Sequence, residues 1–322
     1  MIDRAFSMEN LGGQCIINLC GSGETLLPPE MPSIIRSLLN AGHIVMVVTN
    51  GTLRDRFDEI LGFPGDLLAR LFFKFSFHYA ELKERHLLES FTNIVRGVKK
   101  TGCSFTVELT PDDSYLPFRD EILKESAERF GAPCHVTVVR DERSKDLPLM
   151  TKLNYGQFVE AWQGFKSDLF AFKWSIFARR RKEFCYAGDW SLNVDLASGN
   201  YYQCNKGLRL GNIYKDDTVR FRPIGNNCEL PYCFNGHAYL CFGVIPELIT
   251  PDYVSMRNRI CSDGTEWLSE TIGDAFRSRL YDNNEIRGLL RRLVANVENT
   301  MLRSRIYARM KKLWRKHENR NT

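Results

Sequence analysis

Residues 183–204 read EFCYAGDWSLNVDLASGNYYQC, with thiols at Cys185 and Cys204 enclosing an alternating stretch that turns at Ser198-Gly199. The spacing is C-x13-G-x4-C. Glycine tolerates the positive φ of a tight hairpin turn, so Gly199 is expected to fold two strands back and bring both thiols to the same end. Cys228 and Cys233 follow in GNNCELPYCFNGHAYLCFG. Four thiolates from a hairpin and a trailing loop can close a tetrahedral metal site, which makes Cys185, Cys204, Cys228 and Cys233 the candidate ligands. Sulfur-only sites of this kind hold zinc or an iron–sulfur cluster. The C-x2-C knuckle usual in zinc ribbons does not occur, which weakens zinc without excluding it. His237 and Cys241 stand close enough in sequence to substitute as a ligand or to pack nearby.

The whole chain is consistent with such a site. It holds ten cysteines in 322 residues, five of them between Cys185 and Cys241. No apolar run approaches the roughly 20 residues that span a bilayer, and MIDRAFSMENLGG is not a secretory signal, so the protein is read as cytoplasmic. Disulfides are not expected there, and clustered cysteines point to metal or redox chemistry. Cys15, Cys20, Cys103, Cys134 and Cys261 sit apart and are read as small buried hydrophobes. Hydrophobic residues at 43% and charged residues at 26% suit a globular protein of one large or two ordinary domains, and a net charge of +5 calls for no nucleic-acid partner.

Elements that would position a site are visible in the first half. QCIINLC (14–20), HIVMVVTN (43–50), LFFKFSFH (71–78), CSFTVEL (103–109) and CHVTVVR (134–140) read as buried strands. Helices are expected near 32–40, 80–100 and 116–130. This alternation predicts an α/β fold with a parallel sheet. Right-handed crossovers then place the strand C-termini on one edge, where ligands bind in barrel-like folds. That edge collects Gly21-Ser22-Gly23-Glu24, Thr49-Asn50-Gly51-Thr52, Ser76 with His78, Glu108 with Thr110, and Arg140. Residues 155–182 read as one helix ending in Arg179, Arg180, Arg181 and Lys182, cations suited to a helix C-terminus. A helical apolar period runs through Ile286, Leu289, Leu290, Leu293, Val294, Val297, Met301, Leu302 and Ile306. It is read as a docked helix with a solvated basic face.

The C-x13-G-x4-C spacing with its late cysteines resembles the auxiliary-cluster domain, of SPASM or Twitch type, at the C-terminus of many radical S-adenosylmethionine enzymes. LCGSGETLLPPEMPSIIRSLLNAGHIVMVVTNGTL is similar to that superfamily's second and third strands, with GSGE in place of its GGE motif. FKFSFH resembles the fourth strand and FTVELTP the fifth. The resemblance runs from about Gly13 to Leu248 and implies a partial (β/α) barrel of parallel strands lacking its first strand. It divides the chain into a barrel (1–182), a cysteine-rich iron–sulfur domain (183–248) and a C-terminal helical extension (249–322). It also implies that Gly21, Ser22, Gly23 and Glu24 meet the methionine amine of S-adenosyl-L-methionine, with Thr25 where proline is usual. Asn50 belongs to the same cofactor edge. Ser76 and His78 would meet the carboxylate or ribose, Glu108 the ribose hydroxyls, and Arg140 a carboxylate. An auxiliary 4Fe-4S cluster on the four cysteines, an electron donor such as flavodoxin or ferredoxin, and a peptide substrate follow from the same resemblance.

One departure matters. The superfamily holds a second 4Fe-4S cluster on C-x3-C-x2-C, and this chain has no such triplet. An N-terminally incomplete chain is the favoured expectation, because omission of a first strand leaves the apolar CIINLC edge unpaired. As written, the chain is not expected to generate a 5′-deoxyadenosyl radical. A degenerate barrel that binds an iron–sulfur cluster or zinc without catalysis is the alternative. A doubly wound enzyme binding a nucleotide through GSGET ranks last, since the motif lacks the phosphate-loop lysine and the full G-x-G-x-x-G.

Overall fold

A computed structural model describes residues 1–180, 183–205, 207–233, 253–277, 286 and 288–304. Expectations for Arg181, Lys182, His237, Cys241 and the tail beyond Ser304 lie outside the described residues. The chain divides into two compact units, 1–178 with 251–279 and 179–250 with 280–322.

The first unit is built on five parallel strands in the order β1-β2-β3-β4-β5. They are β1 (Ile16–Leu19), β2 (Ile44–Thr49), β3 (Leu71–Ser76), β4 (Ser104–Leu109) and β5 (His135–Val136). Spatial order equal to sequence order is the winding of a partial barrel; among the described strands there is no reversal of the kind that marks a doubly wound sheet. Side chains alternate between the two faces. On one face Phe73 and Phe75 pack on Phe57 of helix Arg54–Leu61, and Phe75 meets Phe91 of helix Leu88–Lys100 edge-on. On the other face Phe72 packs on Phe276 of helix Glu270–Arg277, which also contacts Tyr253. Helices from the crossovers thus cover one side; residues 253–277 pack on the other through Phe276 and reach Phe105 on the first through Trp267.

Three expected elements come out shorter, each for a local reason. β5 stops at Val136 because the chain beyond it pairs with its own return: Asp141 donates to the carbonyl of Pro148, and Arg140 bridges Leu149. The helix expected over 80–100 breaks into Tyr79–Glu84 and Leu88–Lys100 around His86, whose φ of 57° no helix accommodates. The helix expected over 155–182 splits into Tyr155–Trp162, a 3-10 turn at Gln163–Phe165 and Asp168–Ile176. Lys166 has left-handed φ, and Ser167 caps the next helix by accepting from the Phe170 amide. Arg179 and Arg180 therefore lie beyond the helix end and do not serve its dipole.

The second unit carries a three-stranded antiparallel sheet, β6 (Asn193–Val194), β7 (Asn200–Tyr202) and β8 (Arg209–Asn212). The turn between β6 and β7 is the one expected at Ser198-Gly199. Gly199 has φ 74° and donates its amide to the carbonyl of Asp195, whose carboxylate also holds Ser198. The core of this unit is Phe184, Tyr186, Ala187, Cys204 and Ile224.

Helix Leu289–Arg303 corrects the docked-helix expectation. Its buried side is polar: Asn299 is fully buried and donates to the carbonyl of Pro223, Gln203 donates to Asn299, and Asn296 pairs with Asn226 and Asn227. Its apolar residues Leu289, Leu290, Leu293, Val294, Val297 and Met301 are exposed. Buried asparagines whose hydrogen bonds are satisfied can seat a helix face, and hydrophobic period alone does not tell which side is used.

Candidate functional site

The ends of β1, β2 and β3 enclose a cavity of about 320 Å³. Its walls include Gly21, Gly23 and Glu24 after β1, Asn50 after β2, and Ser76 and His78 at the end of β3. Six of the residues expected to contact a cofactor thus border one cavity on the edge where the strand C-termini gather. Ser22 is exposed and does not line it. Glu108 and Arg140 do not line it either.

Glu24 fixes the geometry. Its Oε1 accepts from Thr49 Oγ1 at 2.7 Å and from the Leu26 amide at 3.0 Å, and its Oε2 accepts from the Asn50 amide at 2.7 Å. One carboxylate therefore ties the loop after β1 to the end of β2, and its oxygens are engaged within the protein rather than left for a ligand. Thr25 Oγ1 accepts from the Gly21 amide at 3.1 Å and closes the same loop. Asn50 Oδ1 accepts from the amide and hydroxyl of Thr52 at 3.1 and 2.7 Å, which locks the turn after β2. Gly51 is required there. Its φ is +68°, and a Cβ would lie 2.8–2.9 Å from the rings of Phe91 and Phe75. Gly23, at φ +106°, has nothing within 4 Å of where a Cβ would stand. The loop presents open backbone to the cavity at that point. His78 follows Ser76 through a tight turn in which the His78 amide donates to the Ser76 carbonyl.

Ser76, His78 and the ion pair of Arg85 with Glu81 also line the cavity, and a polar cleft of this size suits a small polar ligand. Thr49 and Thr52 belong to the TNGT stretch already placed on the candidate edge, where hydroxyls flanking an Asn-Gly turn hold it closed. Thr25 stood out in the sequence only as a departure from proline.

Glu108 is placed elsewhere. It is 5% exposed, on the face of the sheet that carries Lys74, and its Oε2 lies 3.1 Å from Lys74 Nζ. Arg257 meets the other oxygen. Burial, with the charge of Arg257 next in weight and Cys20 opposing, lowers the Lys74 ammonium to about 7. Arg140 pairs with Glu142.

In the second unit the thiols come together by a route other than the hairpin. The β6–β7 register pairs Asn193 with Tyr202, so Cys185 stands well outside the ladder that leads to Cys204. Cys185 instead exchanges two backbone hydrogen bonds with Gly225, three residues before Cys228, and packs on the core that contains Cys204. Burial pushes the Cys185 thiol up to about 12, with Cys228 and Cys204 adding to the rise. These three thiols share one neighbourhood. Even so, among the described residues no three His, Cys, Asp or Glu side chains are gathered as a metal-ligand set. The three thiols stand near one another without forming a closed ligand set.

No protein-family model and no curated protein matches the chain. Among solved structures, SuiB of Streptococcus suis is similar at a TM-score of 0.46 and 11% identity. The match covers 66% of this chain and 56% of SuiB. At that score it is a likeness alone. No helix of the described residues is long and apolar enough to cross a membrane.

Replacing Glu24 with alanine removes acceptors from two amides and a hydroxyl. It is expected to lower the unfolding free energy by about 2–4 kcal/mol, counting roughly 1 kcal/mol or slightly more per bond. Urea denaturation followed by circular dichroism measures this, and a loss below about 0.5 kcal/mol, the range of a neutral surface change, would remove the clamp from the account.

Proposed function

We propose that the strand-edge cavity binds S-adenosyl-L-methionine and that the chain is a radical S-adenosylmethionine-type protein with a cysteine-rich second unit. The observation that carries the reading is the convergence of Gly21, Gly23, Glu24, Asn50, Ser76 and His78, from three successive strand ends, around one cavity. In this reading the open backbone at Gly23 faces the methionine amine. Ser76 and His78 offer a hydroxyl and an imidazole to the carboxylate or ribose, and Glu24 orients the loop without touching the ligand. When bound, the cofactor supplies a sulfonium centre whose carbon–sulfur bonds can be broken. The residues present would bind and orient it; reductive cleavage would also need a 4Fe-4S cluster, whose C-x3-C-x2-C ligands this chain lacks, supplied with electrons by a donor of the flavodoxin or ferredoxin kind. A peptide substrate remains part of the proposal through the resemblance of the second unit.

Isothermal titration of the full chain with S-adenosylmethionine should give saturable binding. His78→Ala and Asn50→Ala should each weaken it about tenfold, the equivalent of ~1.4 kcal/mol. An absence of heat with S-adenosylmethionine and with S-adenosylhomocysteine alike, or variants that bind as the parent does, would overturn the assignment.

The iron–sulfur reading of Cys185, Cys204, Cys228 and Cys233 is supported by their sequence spacing and by the shared neighbourhood of the first three. A metal would have to displace the Cys185 proton, and a nearby cation is what brings a buried thiol down. Anaerobic reconstitution should give a brown protein with about four irons per chain, the content of one four-cysteine cluster. Cys185→Ser should lose most of that iron. A colourless protein with stoichiometric zinc would redirect the site to a structural role.

A further inference from the structure

A second polar site lies on the interior face of the same sheet. Lys74 is in register with Thr106, and Ser76 with Glu108, so these four residues share one face across β3 and β4. Residues 253–277 cover that face, and from them Arg257, 1% exposed, reaches Glu108. Lys173, on helix Asp168–Ile176, donates to Thr137 Oγ1 at 2.6 Å just past β5. Its electrostatic neighbours are Lys74 and Arg140, while those of Lys74 are Arg257 and Cys20. Arg140 is offset by Glu142. Among the described residues Lys74 and Arg257 share the Glu108 carboxylate, and Lys173 stands near Lys74.

Among the described residues the arrangement carries more basic than acidic groups. Arg257 Nε and Thr106 Oγ1 are buried without a hydrogen-bond partner among the described residues. An uncompensated buried charge costs several kcal/mol, so a fold whose described residues gather three basic groups near Glu108 has a use for an added anion. Access exists, because Lys74 keeps 20% of its side chain exposed and Lys173 is half-buried. Ser76, two residues along from Lys74 on the same face, lines the strand-edge cavity.

We propose that Lys74, Lys173 and Arg257 form a binding site for the anionic group, carboxylate or phosphate, of a small molecule that enters beside the strand-edge cavity. The site goes beyond the cofactor assignment and stands without it. Glu108 holds Lys74 and Arg257 in place, Lys173 closes the opposite side, and the bound anion accepts from the two ammonium groups. Burial, before any repulsion from neighbouring cations, lowers both lysines to about 7. The pH dependence follows from that lowering. Without an anion the folded protein disfavours the charged lysines, so its stability rises as pH climbs from about 7 toward the ordinary lysine range. An anion needs the charged lysines, so its affinity falls over the same climb.

The test is thermal unfolding of the full chain titrated with inorganic phosphate and, separately, with acetate, at constant ionic strength against chloride. One of the two anions should raise the midpoint saturably, and which one does so tells phosphate from carboxylate. Its affinity should be at least about tenfold tighter at pH 6.5 than at pH 8.5, as groups titrating near 7 lose their charge. Lys173→Met should abolish the response, raise the midpoint of the anion-free protein, and leave S-adenosylmethionine binding intact. Should that variant fold poorly, Lys74→Met serves as the second substitution with the same loss of response. Phosphate and acetate acting no differently from chloride, or a Lys173→Met protein that responds like the parent, would overturn the proposal. Loss of S-adenosylmethionine binding in the parent, with the anion response intact, would count against the cofactor assignment alone.

Discussion

The carboxylate of Glu24 holds the strand edge in one arrangement. A loop after one strand and a turn after the next have no intrinsic reason to keep a fixed distance, and parallel ladders stop at the strand ends. Glu24 removes that freedom by accepting from the Thr49 hydroxyl and the Asn50 amide, while the Leu26 amide secures it to its own loop. Charge-assisted bonds of this kind are short and directional, which suits a site whose walls come from separate segments. Everything proposed for the cavity assumes that this clamp is closed.

The opposite demand is met deeper on the same sheet. Around Lys74 the described residues gather basic groups, and Glu108 pairs with Lys74 and Arg257 together. A core built for stability alone would place apolar groups there, since a packed hydrophobic isostere is no worse than a buried ion pair and often better. Local departures of this kind are where function tends to sit. The cavity and the cationic face adjoin through Ser76, so a ligand with a polar body and an anionic end matches both.

The strands were legible because continuous apolar runs separated by turn residues admit few other readings, and their C-terminal edge followed from the handedness of crossovers. GSGE, TNGT and FSFH were therefore read correctly as neighbours across the sheet. Lys74 carried a signal that was overlooked: a lysine inside LFFKFSF must either reach solvent or find a partner. Arg257 carried none, because it meets Glu108 only once residues 253–277 fold back over the sheet, a contact spanning some 150 positions. The hairpin at Ser198-Gly199 was legible from its turn, whereas the meeting of Cys185 with Cys228 depends on a bridge to Gly225 that no spacing rule announces. The polar docking of helix Leu289–Arg303 was hidden for a related reason, since its asparagines acquire partners only in the folded unit.

The central claim is that three strand ends act as one ligand site. Hydrogen–deuterium exchange with and without S-adenosylmethionine addresses it most directly, because backbone amides of all three ends report at once. The account predicts joint protection of peptides covering residues 20–26, 49–52 and 76–87. Protection of one segment alone, or an exchange pattern unchanged at saturating cofactor, would contradict it.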